Sequence, residues 1–473
     1  TLELRARRDA LVIFFLGFFT MLTGFFESQS LLTALAVLLG LVGLLTALIN
    51  AHRPVGTPSL RESASLALRM TLAGTPVMLA LFLLFPRFAP LWGMPVDPAV
   101  GRTGLSSTMT VGNVAALALD DGIALRVRFE GRPPPQGQLY FRGPVLSRFD
   151  GRQWTATSGG DGFDIPFGPP PRDLRVRGEP IEYELTLEPS RRPWLLALDA
   201  TPEAPALPPH WRLRQTPDLQ WVASRPVAEL LRYRARSYPD FSYGIAGWDG
   251  QPRRDLDRFL QLRAGYYPRK EALGEELRRE APDGDSRAIV GAALERLRTG
   301  GYRYTLEPGV YGRDSADEFW FDARAGFCEH IASAFVIALR AAGVPARIVT
   351  GFQGGELNGV DGYWTVRNAD AHAWAEVWLA GHGWQRVDPT AAVTPSRIGL
   401  AERLRPPPGL VANALDRVNP RLLIRLRANW EALNNRWNQW VLSYTQERQF
   451  DLLRQLGFAQ PAWEDLGKLL AGG

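Results

Sequence analysis

The chain has 473 residues, 46% hydrophobic and 22% charged, a balance that fits a folded protein and excludes a disordered or fibrous one. Its 54 basic residues exceed 49 acidic ones only slightly, giving a net charge of +5, and they are spread along the chain, so the charge offers no footprint for nucleic acid. The single Cys excludes an intramolecular disulfide and a zinc site built on several thiolates.

Apolar residues crowd into the first 86 positions, and three runs there have the length and character of membrane helices: about 11–26, 31–49 and 66–85. The first could be a signal peptide by length, but no small-residue cleavage pattern follows it and Glu27-Ser28-Gln29-Ser30 leads straight into the second run, so it reads as a retained helix. Arg5, Arg7 and Arg8 precede the first run and Arg53 and Arg61 lie between the second and third, whereas the first link carries only Glu27. The positive-inside bias then sends the chain from Pro86 onward out of the cytoplasm, a compartment that in a Gram-negative cell is the periplasm. The first residue is Thr rather than Met, which leads us to expect further helices upstream.

From 97 to 238 short alternating segments are separated by Pro and Gly. Ile123, Leu125, Val127 and Phe129 alternate with small or basic residues, and Ile181, Tyr183, Leu185 and Leu187 with polar ones. Period two predicts half-buried strands, and Pro133-Pro134-Pro135 and Pro169-Pro170-Pro171 predict long loops between them. This β-rich module shows no pattern that carries chemistry. A second domain, 250–400, opens with helices: Ile289, Val290, Ala293, Leu294 and Leu297 form one stripe, capped by Asp285 or Ser286. Strands return after Gly343, and Pro406-Pro407-Pro408 closes the domain. In the tail, 410–473, Trp430, Leu433, Trp437, Trp440 and Tyr444 recur every three or four residues, a stripe suited to ordinary packing or to a membrane surface.

Cys328 stands in Gly326-Phe327-Cys328-Glu329-His330, just before a stretch in which Ile331, Phe335, Ala338 and Leu339 share a helix face, with Gly343 and Pro345 as its stop. A thiol on the first turn of a helix feels unpaired N–H groups and the dipole, which favour the thiolate. By itself a lone Cys is as readily a small buried hydrophobe. Of five His, His52 borders a membrane run, His210 follows Pro-Pro, His330 points away from Cys328 along the same helix, and His382 is in a Gly-His-Gly turn, leaving His372. In the segment it opens, His372, Trp374, Glu376 and Trp378 face one way and Ala373, Ala375, Val377 and Leu379 the other. A hairpin with the three-residue loop Ala380 to His382 sets Trp378 opposite Trp384 and Glu376 opposite Arg386, and makes Asp388 a diagonal neighbour of His372. The pair is either a polar strand end or, with Cys328, a Cys-His-Asp arrangement for acyl transfer.

At these residues the sequence resembles the transglutaminase-like superfamily, and within it the bacterial membrane-anchored TgpA type. The blocks are Ala325-Gly326-Phe327-Cys328-Glu329-His330, Arg340 to Arg347, Thr350 to Glu356, Asp370-Ala371-His372-Ala373-Trp374-Ala375-Glu376-Val377-Trp378, and Gly383-Trp384 with Val387-Asp388-Pro389-Thr390. Arg142-Gly143-Pro144-Val145 and Arg148-Phe149-Asp150-Gly151 extend the likeness into the β-rich module. The resemblance implies a membrane α-helical N-terminal region, an extracytoplasmic β-rich module and an α+β papain-like core, with Cys328 as nucleophile, His372 as general base and then acid, and Asp388 orienting the imidazole. It also implies a further transmembrane helix after the tail. No acidic calcium loop like that of animal transglutaminases is evident, so neither metal nor cofactor is expected.

The reaction implied is acyl transfer from a glutamine γ-carboxamide to a primary amine through a Cys thioester, with a protein or peptide glutamine donor, an amine acceptor, and the lipid bilayer as partners and the inner membrane as location. With water as acceptor the same residues make a cysteine amidase or peptidase of envelope peptides; a membrane-tethered scaffold is the noncatalytic alternative. Trp320, Tyr363, Trp364, Trp374 and Trp378 either wall a groove or fill a core, and Trp320 is a candidate oxyanion donor. Only Lys270 and Lys468 supply side-chain amines.

Overall fold

In the computed structural model, residues 7–27, 30–52, 59–85, 105–110, 119–156, 173–208, 211–245, 256–281, 285–395, 420–442, 449 and 454 are described. The proline runs at 169–171 and 406–408, His210, Tyr444, Lys468 and any helix beyond the tail lie outside them. The chain divides into two compact units, residues 1–96 with 421–473, and residues 97–420.

The first unit contains α1 (Arg7–Glu27), α2 (Leu31–His52) and α3 (Leu60–Leu84). Among the described residues two stretches are long and apolar enough to cross a bilayer, Leu31–Ala51 with mean hydropathy 2.6 and Leu60–Leu84 with 1.7; α1 carries the shorter apolar stretch Val12–Gly24. The third helix starts before its apolar run because Ser59 caps it, its hydroxyl accepting from the Glu62 N–H at 3.3 Å. Phe15, Leu39 and Leu72 are exposed, as side chains facing lipid would be. The tail helix (Pro420–Trp437) buries Ala432 and Asn435, and Asn438 just beyond it, while Trp430, Leu433 and Trp440 are exposed. The predicted apolar stripe therefore does not pack inward. Polar side chains make the contacts instead: Asn434 of this helix accepts from the Leu31 N–H at 3.4 Å, and Gln449, beyond the helix, donates to the carbonyls of Leu83 and Phe85 at the end of α3.

The two largest sheets of the second unit form its framework. One has the order β1 (Thr108–Thr110), β4 (Gln153–Ala156), β3 (Tyr140–Phe149), β7 (Ala346–Gln353), β10 (Ala371–Leu379) and β11 (Gly383–Val387). The other runs β6 (Leu231–Ser237), β5 (Ile181–Leu187), β2 (Ile123–Glu130), β9 (Trp364–Arg367) and β8 (Glu356–Leu357). The pairs β3–β7 and β2–β9 join the early β-rich stretch to the later one, so each sheet draws strands from both.

Alternation along β10 sorts its side chains as the sequence requires. Ala371, Ala373, Ala375 and Val377 belong to the main core, together with Ile331, Phe335 and Leu339 of helix α4 (Cys328–Ala341), which packs on this strand. This helix is buried nearly all round, as befits the centre of a domain. Full burial of each Ile, Leu or Phe stabilises it by roughly 1.5–3 kcal/mol. It ends where Gly343 adopts φ +83° and donates to the Arg340 carbonyl while Val344 donates to that of Leu339, the paired bonds that close a helix on a left-handed glycine.

The opposite face of β10 is polar and buried. Glu376 accepts from Arg142 of β3 and from Arg347 of β7, the latter through Nε at 2.8 Å. Asp199 accepts from Arg142 Nε at 2.6 Å and Arg386 at 2.9 Å, and Asp218 pairs with Arg347. Three guanidiniums thus meet three carboxylates. Burial alone would raise the Glu376 carboxyl, but Arg142 and Arg347 hold it below its ordinary value. Burial alone would lower Arg142, yet Asp199 and Glu376 hold it above its usual value. Substituting Glu376→Ala leaves two buried guanidiniums short of a counter-charge and should destabilise the unit by about 3–5 kcal/mol, read as a lower urea midpoint of tryptophan fluorescence.

Candidate active site

Cys328 is the first residue of α4 and is fully buried. Phe327 precedes it in an extended conformation, its N–H donating to His330 Nδ1 at 3.4 Å. His330 is thus spent on closing its own helix start, with Tyr311 4.9 Å from its ring. Burial lowers its pKa to about 4, so it is neutral at pH 7. The folded chain keeps His330 neutral while the unfolded chain protonates it below about 6.5, so stability falls as pH drops from 6.5 toward 4. Melting temperatures across that window should show it: His330→Gln retains an acceptor and should flatten the slope by an amount equivalent to roughly 3 kcal/mol.

The hairpin β10–β11 has the expected register, Trp378 opposite Trp384 and Glu376 opposite Arg386, closed by the loop Ala380 to His382. Just past its end Asp388 receives His372 Nε2 at 2.7 Å. The same oxygen, Oδ2, accepts from the Tyr140 hydroxyl at 2.8 Å, and Oδ1 accepts from the Thr390 N–H at 3.0 Å at the cap of a short helix, Pro389–Val393. Burial pushes the Asp388 carboxyl up, but His372, Tyr140 and Thr390 together hold it below its ordinary value. The other ring nitrogen of His372, Nδ1, is buried and has no hydrogen-bond partner among the described residues. An imidazole anchored on one side by a carboxylate and open on the other is built to exchange a proton at the open nitrogen.

Gly351, the cross-strand partner of His372, leaves room for this arrangement. A Cβ there would strike the Phe141 carbonyl and come within 2.6 Å of the Trp374 ring. The Trp374 ring lies nearly parallel to that of His372, centroids 6.2 Å apart, and packs edge-on against Tyr140 at 5.2 Å.

The other aromatics mostly fill the core. Trp320 is not an oxyanion donor: its indole N–H goes to the Ala334 carbonyl inside α4 at 2.9 Å, and the ring is buried. Trp378 donates to the Gly244 carbonyl at 2.7 Å, Tyr363 is buried, and Trp364 packs against Phe129. The β-rich stretch, in which no chemistry was expected, supplies Tyr140. A tyrosine before Arg142-Gly143-Pro144 gives no sequence signal of such a role, because only strand pairing brings it to Asp388. Among the described residues no group of His, Cys, Asp and Glu is placed to hold a metal ion.

With this geometry in place, comparison with known proteins decides the family. The TgpA N-terminal domain matches residues 1–243, more than half of the chain, and the transglutaminase-like superfamily matches residues 275–389. The chain belongs to the TgpA family. The protein-glutamine gamma-glutamyltransferase of Pseudomonas aeruginosa is 40% identical over 465 residues, which cover 96% of this chain and 66% of that protein, so this chain spans just under two thirds of its relative's length. An uncharacterized Bacillus subtilis protein, YebA, is 31% identical over 145 residues, 29% of this chain and 19% of its own. The crystal structure of the periplasmic domain of TgpA from P. aeruginosa is 40% identical and covers 64% of this chain and all of that one, with a TM-score of 0.56; the same domain bound to ethylmercury is 39% identical, covers 63% and 100%, and scores 0.56. The TgpA family architecture is present here: apolar N-terminal helices, a β-rich region and a transglutaminase-like core.

Proposed function

We propose that this chain is a membrane-anchored protein-glutamine γ-glutamyltransferase, held in the bacterial inner membrane with residues 97–420 in the periplasm, in which Cys328 is the nucleophile, His372 the base and acid, and Asp388 the residue that orients the imidazole. One observation carries the reading: a buried imidazole has one nitrogen fixed to Asp388 at 2.7 Å and the other buried without a partner among the described residues. The printed activity of the P. aeruginosa relative agrees with it.

In this scheme His372 Nδ1 takes the thiol proton and the thiolate attacks the γ-carboxamide carbon of a glutamine side chain. Backbone N–H groups at the start of α4 hold the oxyanion, aided by the helix dipole. The C–N bond breaks as His372 returns the proton to the departing nitrogen; ammonia leaves and a thioester remains. A primary amine then gives up a proton to His372 as it attacks the thioester, an isopeptide bond forms, and the sulfur leaves as thiolate. The burial of Cys328 and His372 keeps water scarce at the thioester.

Incubating the detergent-solubilised chain with a glutamine-containing peptide and a fluorescent primary amine should give amine incorporation matched by ammonia release. Free glutamate without incorporation would make the enzyme an amidase. Cys328→Ala should abolish both products with an unchanged melting temperature, and undiminished turnover would remove Cys328 from the mechanism. Asp388→Asn should lower turnover by on the order of a hundredfold or more by misdirecting the imidazole.

A further inference from the structure

We infer that Tyr140 is a positioning residue of this site, so that the β-rich stretch completes the machinery formed by Cys328, His372 and Asp388; the inference rests on the assignment proposed above. Tyr140 lies 248 positions before Asp388, yet its hydroxyl donates to Oδ2 at 2.8 Å, the same oxygen that holds His372 Nε2 at 2.7 Å. An ionised carboxylate only accepts, so the Tyr140 O–H must be the donor. Two donors on one oxygen and the Thr390 N–H on the other fix the carboxylate's rotation and leave the proton on His372 Nε2, which keeps Nδ1 the accepting nitrogen.

The ring that carries this hydroxyl is itself held on several sides. Tyr140 is 3% exposed, opens β3 opposite Gln353 of β7, packs edge-on against Trp374, and lies under the Arg386 guanidinium at 4.1 Å from its centroid. Arg386 in turn donates to Asp199, which accepts from Arg142 two residues along β3. The buried ionic layer thus sets where the phenol sits, and the phenol sets how the carboxylate faces the imidazole. A core tyrosine that merely satisfied its hydroxyl could have used any backbone carbonyl, as Tyr233 does with Leu196.

The test uses the full chain, whose only thiol is Cys328, and measures the rate of iodoacetamide alkylation from pH 5 to 10. In the wild type the midpoint should lie well below the ordinary thiol value of about 8.5. Tyr140→Phe keeps every ring contact and deletes only the donor; it should move the midpoint upward and lower peptide–amine turnover by about tenfold, the effect of losing one hydrogen bond to a charged acceptor. Site-specific 3-fluorotyrosine at position 140, which retains the donor, should keep the midpoint low. A wild-type midpoint near 8.5 would overturn the assignment of Cys328 itself. A low midpoint unchanged in Tyr140→Phe, or raised equally by fluorotyrosine, would overturn the role of Tyr140 alone. Outright unfolding of Tyr140→Phe would also overturn it, since the hydroxyl would then be holding the sheet and not the carboxylate.

Discussion

Glu376 is the point on which the unit formed by residues 97–420 turns. Its two oxygens are shared between guanidiniums from β3 and β7, and no solvent is available to replace either. A buried carboxylate in this situation tolerates one register only. Sliding β10 by a single residue would drive Glu376 and His372 into the alanine-lined core beneath α4 and bring alanines to the ion pairs. The ionic layer therefore acts less as a source of net stability than as a gauge that fixes where His372 lies along the sheet.

From that gauge the site follows in short steps. Trp374 lies between Glu376 and His372 on the same face, and Gly351 opposite gives its ring somewhere to lie. Tyr140 packs on Trp374 and reaches Asp388; Asp388 reaches His372. Each contact is made by a side chain with few alternatives, because all of them are at or near full burial. Rigidity of this kind holds the open nitrogen of the imidazole in a constant direction.

Much of this was legible where the signal is local. Period two along 371–379, the Gly381-containing loop and the Trp378–Trp384 and Glu376–Arg386 pairings determine the hairpin without reference to anything distant. The start of α4 at Cys328 and its stop at Gly343 are likewise written in neighbouring residues. What escaped depends on pairing between remote strands. Arg142 reads as an ordinary polar position until β3 lies beside β7, and Tyr140 has no motif of its own. Closeness in sequence to Cys328 does not fix which way the Trp320 indole N–H points, and it donates to the Ala334 carbonyl. In the tail, Trp430, Leu433 and Trp440 are exposed while Asn435 and Asn438 are buried, the reverse of an apolar stripe packed inward.

The interleaving of strands has a consequence for inheritance. Because β7 hydrogen-bonds to β3, and β9 to β2, a gene fragment encoding only 250–400 would yield a polypeptide with two raw sheet edges, each ready to zip onto another copy. Recombination cannot exchange one half for a stranger's without losing both ladders at once. The stretch from 97 to 420 is in that sense a single cassette, and variation within it must be coordinated across the gap between its halves.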